Sequence, residues 1–569
     1  MSTLGAREAL LLAVLLLAFS LRLNGLGDKS LWQDEIFTVA ISAAQNSLVE
    51  VASIPLYNTA LPAPPLYFLI THFFLMLGDK DFILRFPALL SGVLGVAATY
   101  ALGTLLFNRG TGLVGSILLS VSSLHVRYSQ DARFYGLMVL LSLMTLYCLW
   151  RALTNEKKIW WLGFVICTLL NIYNHLFGLM VLLAEVVFVV GLWVGRGLRG
   201  SRTDSSEGRH SLWVNERLWI PPKDDLLGFL VSLTLVLALY LPMVPHLLRG
   251  VASSKGLGGE SNLDIGAILT FLGQALDAWA NGPGLISALF LIPFVLGLAA
   301  CVPTRHSQLW LACCWLALPM AALLLVPARH GFRPRYVLFM LPMFLSLVAH
   351  GLVATSRRLG EHLKGRAVEV RSCLLGLSVL VLVLVSIPTL RGYYDEPRSD
   401  WKAVAELVRR GYNDGEIVVS PGPFAQLALT RYGDDLSEAT FLIGGSEVFL
   451  SSERAAEAGV WFVGPGREAM ASTEAELRAA TPWLLKVVFE VDANRAERGI
   501  RLSIAPTMYS DLWVLYARDG LELEDLIERY EEALESVPPA VGSSVRATLN
   551  QLYQERRKLD QAAVDCRCH

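Results

Sequence analysis

The stretch "ALLLAVLLLAFSLRLNGLGDKSLWQDEIFTVA" (Ala9–Ala40) joins a long apolar run to two adjacent carboxylates, Asp34 and Glu35. Since roughly 20 apolar residues cross a bilayer as a helix, the run predicts a membrane span. It has no small-x-small cleavage site before Asp28, so we interpret it as a retained helix and not as a signal peptide. Carboxylates are not needed to anchor a helix in lipid, and the acidic pair is therefore a candidate functional feature.

The composition of the whole chain indicates a polytopic membrane protein. Of its 569 residues, 54% are hydrophobic and only 17% are charged, whereas a soluble globular chain carries about 25% charged residues. The formal net charge of −2 gives no sign of nucleic-acid binding, which requires clustered positive charge.

Hydropathy predicts about eleven membrane-spanning helices. They lie at 7–23, 84–106, 111–126, 134–153, 159–174, 176–195, 225–244, 283–302, 308–327, 335–354 and 372–390. Lys and Arg are concentrated in the loops that would face the cytoplasm if the N-terminus lies inside. This bias predicts an integral protein of the cytoplasmic (plasma) membrane, with the acidic pair and all residues after about Arg391 on its outer face.

The predicted topology divides the chain into a transmembrane catalytic domain at 1–390, an extracytoplasmic α/β domain at 391–520 and a charged helical tail at 521–569. Two outer loops are long. The first, at 24–82, contains "PPLYFLITHFFLMLG" (Pro64–Gly78), whose length suits a re-entrant or interfacial helix. The second, at 245–282, is rich in Gly and Ser, and we interpret it as a mobile loop.

The α/β domain is predicted from a change of pattern after Arg391. "SDWKAVAELVRRG" (399–411) indicates an amphipathic helix that Ser399 or Asp400 caps and Gly411 ends. "GEIVVS", "GVWFVG", "LLKVVFEV" and "DLWVLYA" are typical of strands. The tail from "LEDLIERYEEALESV" onward predicts a charged amphipathic helix or helix pair.

Arginines also occur in outer loops, where the topology rule does not require them. "HVRYSQDARFYG" (125–136) contains Arg127, Asp131 and Arg133, and "RHGFRPRYVLF" (329–339) contains three arginines including Arg333 and Arg335. Polar groups at the membrane interface without a topological reason are functional candidates. Arginine binds phosphate in a bidentate manner, and a carboxylate can act as a general base or a metal ligand. Together they suggest chemistry on a lipid-linked phosphate.

Structural roles for the same residues remain open. Arg127 and Arg133 can snorkel to headgroups or pair with Asp131. Asp34 and Glu35 can cap the helix that follows them, because acidic residues are favoured at a helix N-terminus. The nearby aromatic residues could stack on a sugar or simply belong to the membrane-interface belt.

Six stretches resemble the GT-C polyprenyl-phosphate-sugar glycosyltransferases, in the bacterial branch related to protein O-mannosyltransferases and the lipid A aminoarabinose transferase. They are "LWQDEIFTVA", "APPLYFLITHFFLMLGDKDFILRFPALLSGVLGV", "RYSQDARFYGLMVLL", "NIYNHLFGLMVLLAE", "RPRYVLFMLP" and "DWKAVAELVRR". The resemblance covers roughly residues 5 to 435 and depends on the order and placement of the stretches together.

The resemblance implies a hexosyl- or pentosyltransferase of GT-C-like fold. A sugar would pass from a polyprenyl-phosphate donor at the outer face to a hydroxyl of a lipid, glycan or protein acceptor, with inversion. Asp34 matches the catalytic base, with Glu35 as its usual neighbour, and Asp131 matches a second acidic position. The donor-binding candidates are Arg133, Arg335, Tyr336, His175, Gln130 and Arg333.

No cofactor is assigned, although a divalent metal held by Glu35 with His72 and His175 is compatible with the family. The leading rival function is a transporter or flippase of lipid-linked sugars. Transporters place ionisable residues near the bilayer midplane, whereas the candidates here cluster at one face. A non-catalytic anchor for the outer domain would need neither so many spans nor acidic loop residues.

Overall fold

A computed structural model of the chain gives the fold. The structure describes residues 5–57, 63–154, 157–198, 223–255, 265–303, 305–325, 334–362, 367–396, 400–420 and 422–433, and shorter stretches between 436 and 558. Contacts divide the chain into two units. The helical unit consists chiefly of Met1–Leu26 and Ile41–Asp395, and the sheet unit of Gly27–Ala40 and residues from Glu396 onward. The segment with Asp34 and Glu35 thus packs with residues far away in sequence.

Long apolar helices form the helical unit, as the hydropathy pattern predicts. The first ten helices are α1 (Ala6–Leu23), α2 (Gln33–Ser42), α3 (Leu48–Tyr57), α4 (Leu66–Leu75), α5 (Asp81–Leu106), α6 (Arg109–Ser120), α7 (Ser123–Ser129), α8 (Tyr135–Thr154), α9 (Ile159–Asn174) and α10 (Gly178–Leu198). The next seven are α11 (Lys223–Tyr240), α12 (Val244–Lys255), α13 (Ile265–Trp279), α14 (Leu285–Cys301), α15 (His306–Leu325), α16 (Leu341–His362) and α17 (Ala367–Asp395). Helix α2 begins in the sheet unit and ends in the helical unit.

Six described segments are long and apolar enough to cross a membrane, and each coincides with a predicted span. They are Asp81–Leu106, Tyr135–Thr154, Asp225–Arg249, His306–Leu323, Arg335–Glu361 and Glu369–Asp395. The other predicted spans are also helical, but their helices are shorter or more polar. One predicted span is divided into the two helices α6 and α7. The multi-pass class is confirmed, and the number eleven stays a prediction.

Helix α17 shows why lipid must surround this unit. Its Leu377, Leu380, Leu384 and Ile387 side chains are 49% to 57% exposed. Such a row of large apolar side chains would be costly in water, and a bilayer removes that cost.

The 3-10 helix Pro334–Met340 leads into the start of α16 along a strongly buried stretch. Val337 to Leu341 are at most 1% exposed. Helix α14 approaches α16 closely, because Gly351 faces the Pro293 carbonyl and Gly297 faces the Leu347 carbonyl with no room for a Cβ atom. Small residues allow such close packing between membrane helices. Arg335 and Tyr336 therefore lie at the end of a firmly packed segment.

The long outer loops contain more helix than predicted. Helices α2, α3 and α4 lie in the first loop, and α4 covers 10 residues of the expected interfacial helix. Helices α12 and α13 lie in the second, which we expected to be a loop. That expectation was wrong for "IGAILTFLGQALDAW", where apolar residues recur at helical spacing. Much of its Gly- and Ser-rich centre, at 256–264, lies outside the described residues.

The sheet unit is built on a five-stranded mixed sheet with strand order β2-β1-β3-β5-β4. The strands are β1 (Ile417–Ser420), β2 (Thr440–Ile443), β3 (Val460–Pro465), β4 (Leu485–Phe489) and β5 (Leu512–Ala517). Strand β1 is parallel to β2 and β3, and β5 is antiparallel to β3 and β4. The α/β prediction is confirmed; β2 is the strand that it missed.

The sheet unit also contains the helices α18 (Trp401–Gly411), α19 (Pro423–Tyr432) and α20 (Leu523–Ser536). Asp400 caps α18, since its side chain accepts a hydrogen bond from the Ala403 backbone N–H, as the sequence predicts. The buried Glu416 carboxylate accepts hydrogen bonds from Trp461 Nε1 at 2.7 Å, the Tyr516 hydroxyl at 2.8 Å and Arg529 Nη2 at 3.1 Å. This network ties β1, β3, β5 and α20 together.

Candidate active site

The acidic segment belongs to the sheet unit and leads directly into α2. Residues 30–32 form neither helix nor strand. The Trp32 carbonyl then accepts hydrogen bonds from the backbone N–H groups of Glu35 and Ile36, at 2.8 Å and 3.0 Å. In return, Glu35 Oε2 accepts from the Trp32 backbone N–H at 3.3 Å. This is the return half of a capping box, in which an acidic side chain satisfies a backbone donor at the helix start.

The two adjacent carboxylates therefore have different surroundings. Glu35 is completely buried and caps its own helix. Asp34 is half-buried, and its backbone carbonyl accepts from Thr38 Oγ1 at 3.0 Å. Of the two residues, Asp34 is the one that keeps solvent-accessible surface. The capping role that the sequence left open applies to Glu35.

In the helical unit, a second group of candidates surrounds the short connection between α7 and α8. The Asp131 side chain is buried, and its backbone carbonyl accepts from the Arg133 N–H at 2.6 Å. The Gln130 amide donates to the carbonyls of Arg22 and Asn24 and accepts from the Tyr393 hydroxyl at 2.6 Å. The protein itself thus uses both ends of the Gln130 side chain, which holds the connection in place.

Aromatic rings join this connection to two other segments. The His175 ring, just after α9, lies 4.5 Å from Phe134 and 4.6 Å from Phe177, centroid to centroid. Phe177 in turn lies 5.6 Å from Tyr336. His175 and Tyr336, two candidates from distant parts of the sequence, therefore belong to one continuous cluster of aromatic rings.

Two arginines flank the cluster. The Arg133 guanidinium lies 4.4 Å from the centre of the Phe134 ring. The Arg335 guanidinium lies 5.8 Å from the Tyr135 ring and 5.7 Å from the Tyr336 ring. In such cation–π contacts the ring attracts the guanidinium, which keeps its positive charge.

The electrostatics of His175 show that both arginine charges reach the same place. His175 keeps some accessible surface but is enclosed by protein atoms, and this burial, with the charges of Arg133 and Arg335, lowers its pKa to about 3. The ring is therefore neutral at physiological pH. Burial also raises the pKa of the Tyr128 hydroxyl, on which the charges of Arg127, Arg335 and Asp131 act as well.

Two candidates have other outcomes. Arg333 lies outside the described residues. The His72 Nδ1 atom hydrogen-bonds at 3.2 Å with the carbonyls of Ser42 and Ala43 at the end of α2, which is a structural contact.

No metal site is seen in the described part of the chain, where no group of three His, Cys, Asp or Glu side chains could hold an ion. A metal held by Glu35, His72 and His175 stays a prediction, with Glu35 in the sheet unit and both histidines in the helical unit.

Sequence reasoning missed Tyr393, near the end of α17. Its hydroxyl binds Gln130, and its ring lies 5.2 Å from the Arg127 guanidinium. No local pattern marks this residue, because it lies about 260 residues from both partners and ends an ordinary apolar helix.

Comparisons with known proteins bear on the family and on the fold. Residues 62–199 match the family model described as dolichyl-phosphate-mannose-protein mannosyltransferase. The match includes Asp131, Arg133 and His175 but ends before Arg335. A search of curated proteins found no match.

Solved structures share the fold at low sequence identity. ArnT from Cupriavidus metallidurans in the apo state superposes with a TM-score of 0.55 at 13% identity, covering 90% of this chain and 98% of that one. The same enzyme bound to undecaprenyl phosphate gives 0.52 at 13% identity, covering 89% and 97%. The archaeal oligosaccharyltransferase AglB from Archaeoglobus fulgidus, in complex with an inhibitory peptide and a dolichol-phosphate, gives 0.53 at 11% identity, covering 85% and 73%. The chain is thus an integral multi-pass membrane protein that shares the fold of ArnT and AglB, and its residues 62–199 are similar to the dolichyl-phosphate-mannose-protein mannosyltransferase family.

Proposed function

We propose that this protein is an inverting glycosyltransferase that moves a hexosyl or pentosyl group from a polyprenyl phosphate to an acceptor hydroxyl at the outer face of the plasma membrane. The observation that supports it most is that Arg133, 4.4 Å from the Phe134 ring, and Arg335, 5.7 Å from the Tyr336 ring, flank one aromatic cluster. The fold is shared with ArnT, which has been solved with undecaprenyl phosphate. The acceptor is a lipid, glycan or protein; AglB was solved with a peptide.

In the proposed reaction, the acceptor oxygen bonds to the anomeric carbon while the bond from that carbon to the phosphate oxygen breaks. Attack from the opposite side inverts the configuration. The electron pair leaves with the polyprenyl phosphate, and the acceptor proton passes to the Asp34 carboxylate as general base. Glu35 keeps the start of α2 in place through its bond to the Trp32 N–H.

The arginines have a binding and a catalytic role in this proposal. Guanidinium groups match phosphate oxygens in a bidentate fork. They also stabilise the charge that grows on the phosphate as it departs. Tyr336 and the other rings of the cluster can stack on the sugar, while neutral His175 adds no competing positive charge. Asp131 is buried at the same connection and serves there as a supporting acidic group.

The donor site can be tested with undecaprenyl phosphate as a binding probe on the purified full-length protein. We expect Arg335→Ala and Arg133→Ala to weaken binding about 10- to 100-fold, because each removes charge-assisted hydrogen bonds worth about 1.5–3 kcal/mol. Arg335→Lys should bind nearly as weakly as Arg335→Ala, since a point charge cannot reproduce the planar fork.

Arg151→Ala is a matched control, because Arg151 at the other end of α8 also contacts an aromatic ring, Trp160, at 4.9 Å. It should bind the probe like the wild type. Equal affinity in the wild type, Arg133→Ala and Arg335→Ala would remove the donor-site assignment.

A turnover assay separates the proposed enzyme from a transporter. Proteoliposomes should be given a panel of undecaprenyl-phosphate-linked hexoses and pentoses together with hydroxyl acceptors. A glycosyltransferase releases free undecaprenyl phosphate as the sugar is transferred. A flippase instead moves the intact lipid between leaflets, and movement without cleavage for the whole panel would contradict the proposal.

A further inference from the structure

The segment that carries Asp34 is held by side chains that follow it by about 370 residues in sequence. Within Gly27–Trp32, the backbone forms turns and extended chain without a strand partner. The Lys402 ammonium donates hydrogen bonds to the carbonyls of Gly27, at 3.1 Å, and Asp28, at 3.2 Å. The Lys29 ammonium donates to the Glu396 carbonyl at 2.8 Å. These contacts supply the hydrogen bonds that regular structure would otherwise provide.

The start of α18 holds the next residue. Ser30 Oγ donates to Asp400 Oδ1 at 3.2 Å and accepts from the Lys402 backbone N–H at 3.2 Å. The same Asp400 oxygen accepts from the Ala403 N–H at 3.1 Å as the cap of α18. The Asp400 carboxylate therefore accepts hydrogen bonds from both the first turn of α18 and the acidic segment. Ser30, which donates one of these bonds, is buried.

The contact nearest to the acidic pair comes from the last residue of α19. The Tyr432 hydroxyl accepts a hydrogen bond from the Leu31 backbone N–H at 2.9 Å. The Tyr432 ring is itself packed beneath the Lys402 ammonium, 5.6 Å from the ring centre. Leu31 is completely buried and Trp32 is 5% exposed. The Trp32 carbonyl accepts the first hydrogen bonds of α2. Holding Leu31 and Trp32 in place therefore also holds the helical turn that carries Asp34.

We propose that Tyr432 and Asp400 are positioning residues for Asp34, and that the α/β sheet unit acts in catalysis by holding the general-base segment in its reactive geometry. The inference rests on the proposed function, and it assigns a catalytic purpose to a domain whose role the sequence did not indicate. Positioning can have large effects on rate, because a displacement of about 1 Å in a reacting group can cost about 10²-fold in rate.

The test is Tyr432→Phe in the full-length protein, which removes one hydroxyl and keeps the ring under Lys402. We expect kcat to fall roughly 2- to 10-fold, the range for loss of a single hydrogen bond. The double variant Tyr432→Phe with Ser30→Ala should fall by about 10²-fold. Affinity for undecaprenyl phosphate should not change, because the proposed donor arginines belong to the helical unit.

Tyr412→Phe is the matched control. The Tyr412 hydroxyl also binds a backbone group of the sheet unit, donating to the Glu416 carbonyl at 2.9 Å, just before β1. A purely structural role for Tyr432 predicts that both variants lower Tm alike and leave kcat alike. Equal kcat in Tyr432→Phe and Tyr412→Phe would overturn the inference.

Hydrogen exchange separates this inference from the proposed function itself. In Tyr432→Phe, amides at 28–36 should exchange faster than in the wild type while β1 and β3 stay protected. If the wild type transfers no sugar from any donor, the proposed function fails, although exchange still reports whether Tyr432 holds the segment. If transfer occurs and exchange at 28–36 is unchanged, the positioning role alone fails.

Discussion

Asp34 and Glu35 are neighbours of the same chemical type, and only the way each side chain points separates them. Adjacent helical positions face about 100° apart, so one carboxylate returns to the Trp32 N–H and the other keeps accessible surface. The sequence could predict that an acidic pair begins a helix. It could not decide which carboxylate caps, because both are favoured in a first helical turn.

Asp34→Asn tests the base directly. The amide keeps the size of the side chain but cannot accept the acceptor proton, so we expect transfer to fall about 10²- to 10⁴-fold. Binding of undecaprenyl phosphate should persist. Asp28→Asn makes the same chemical change at an exposed position six residues earlier and should retain activity. Near-normal turnover of Asp34→Asn would show that this carboxylate, too, is only a cap.

His175 gives a prediction about pH. Its pKa of about 3 lies below the ordinary value of 6.5 because of burial and of Arg133 and Arg335. Between pH 6.5 and pH 3, His175 is therefore protonated in the unfolded chain but neutral in the folded chain. The free energy of unfolding consequently falls as the pH drops through this range. We expect Tm of the wild type to decrease more steeply from pH 6.5 to pH 4 than Tm of His175→Gln. Parallel curves for the two proteins would contradict the neutral, enclosed imidazole.

At the scale of elements, secondary structure was predicted correctly where a short stretch of sequence contains the whole pattern of apolar and polar residues that defines the element. The strands β1, β3, β4 and β5 and the cap of α18 were all predicted, because each depends on neighbouring residues. Strand β2 has the pattern "TFLI", with mostly exposed side chains, and only its pairing with β1 makes it a strand. The aromatic cluster was not predicted, since its contacts join segments that are up to about 200 residues apart.

Glu416 provides a test of how the sheet unit is held together. Glu416→Ala leaves Arg529, whose side chain is 11% exposed, without its buried counter-charge. Breaking a buried pair in this way typically costs about 3–5 kcal/mol. We therefore expect amides of β1, β3 and β5 to lose hydrogen-exchange protection in the full-length protein.

Glu406→Ala is the control, because Glu406 also pairs with arginines, Arg409 and Arg410, but on the exposed face of α18. Exposed pairs are worth about 0–1 kcal/mol. Comparable losses of protection in the two variants would mean that the Glu416 network does not hold the sheet unit together.

At the scale of the whole molecule, the multi-pass class followed from composition, and the orientation rests on the distribution of Lys and Arg. The placement of active groups at the outer face depends on that orientation. The sequence cannot give the contacts of Gly27–Ala40 with residues beyond Glu396, because they span most of the chain. They do require the acidic segment and the sheet to share a side of the membrane, which labelling can test.

Single cysteines at Gln33 and Asp414, both exposed positions of the sheet unit, should react with a membrane-impermeant maleimide in intact cells. A cysteine at Lys158, exposed in the predicted inner connection before α9, should react only after lysis. The parent protein, labelled in parallel, gives the baseline from its natural thiols. Labelling of Lys158→Cys in intact cells with protection of Gln33→Cys would invert the topology and place the proposed base on the inner face. Because charge bias and packing are independent observations, agreement of all three sites would support the outer-face reaction without any assumption about the sugar.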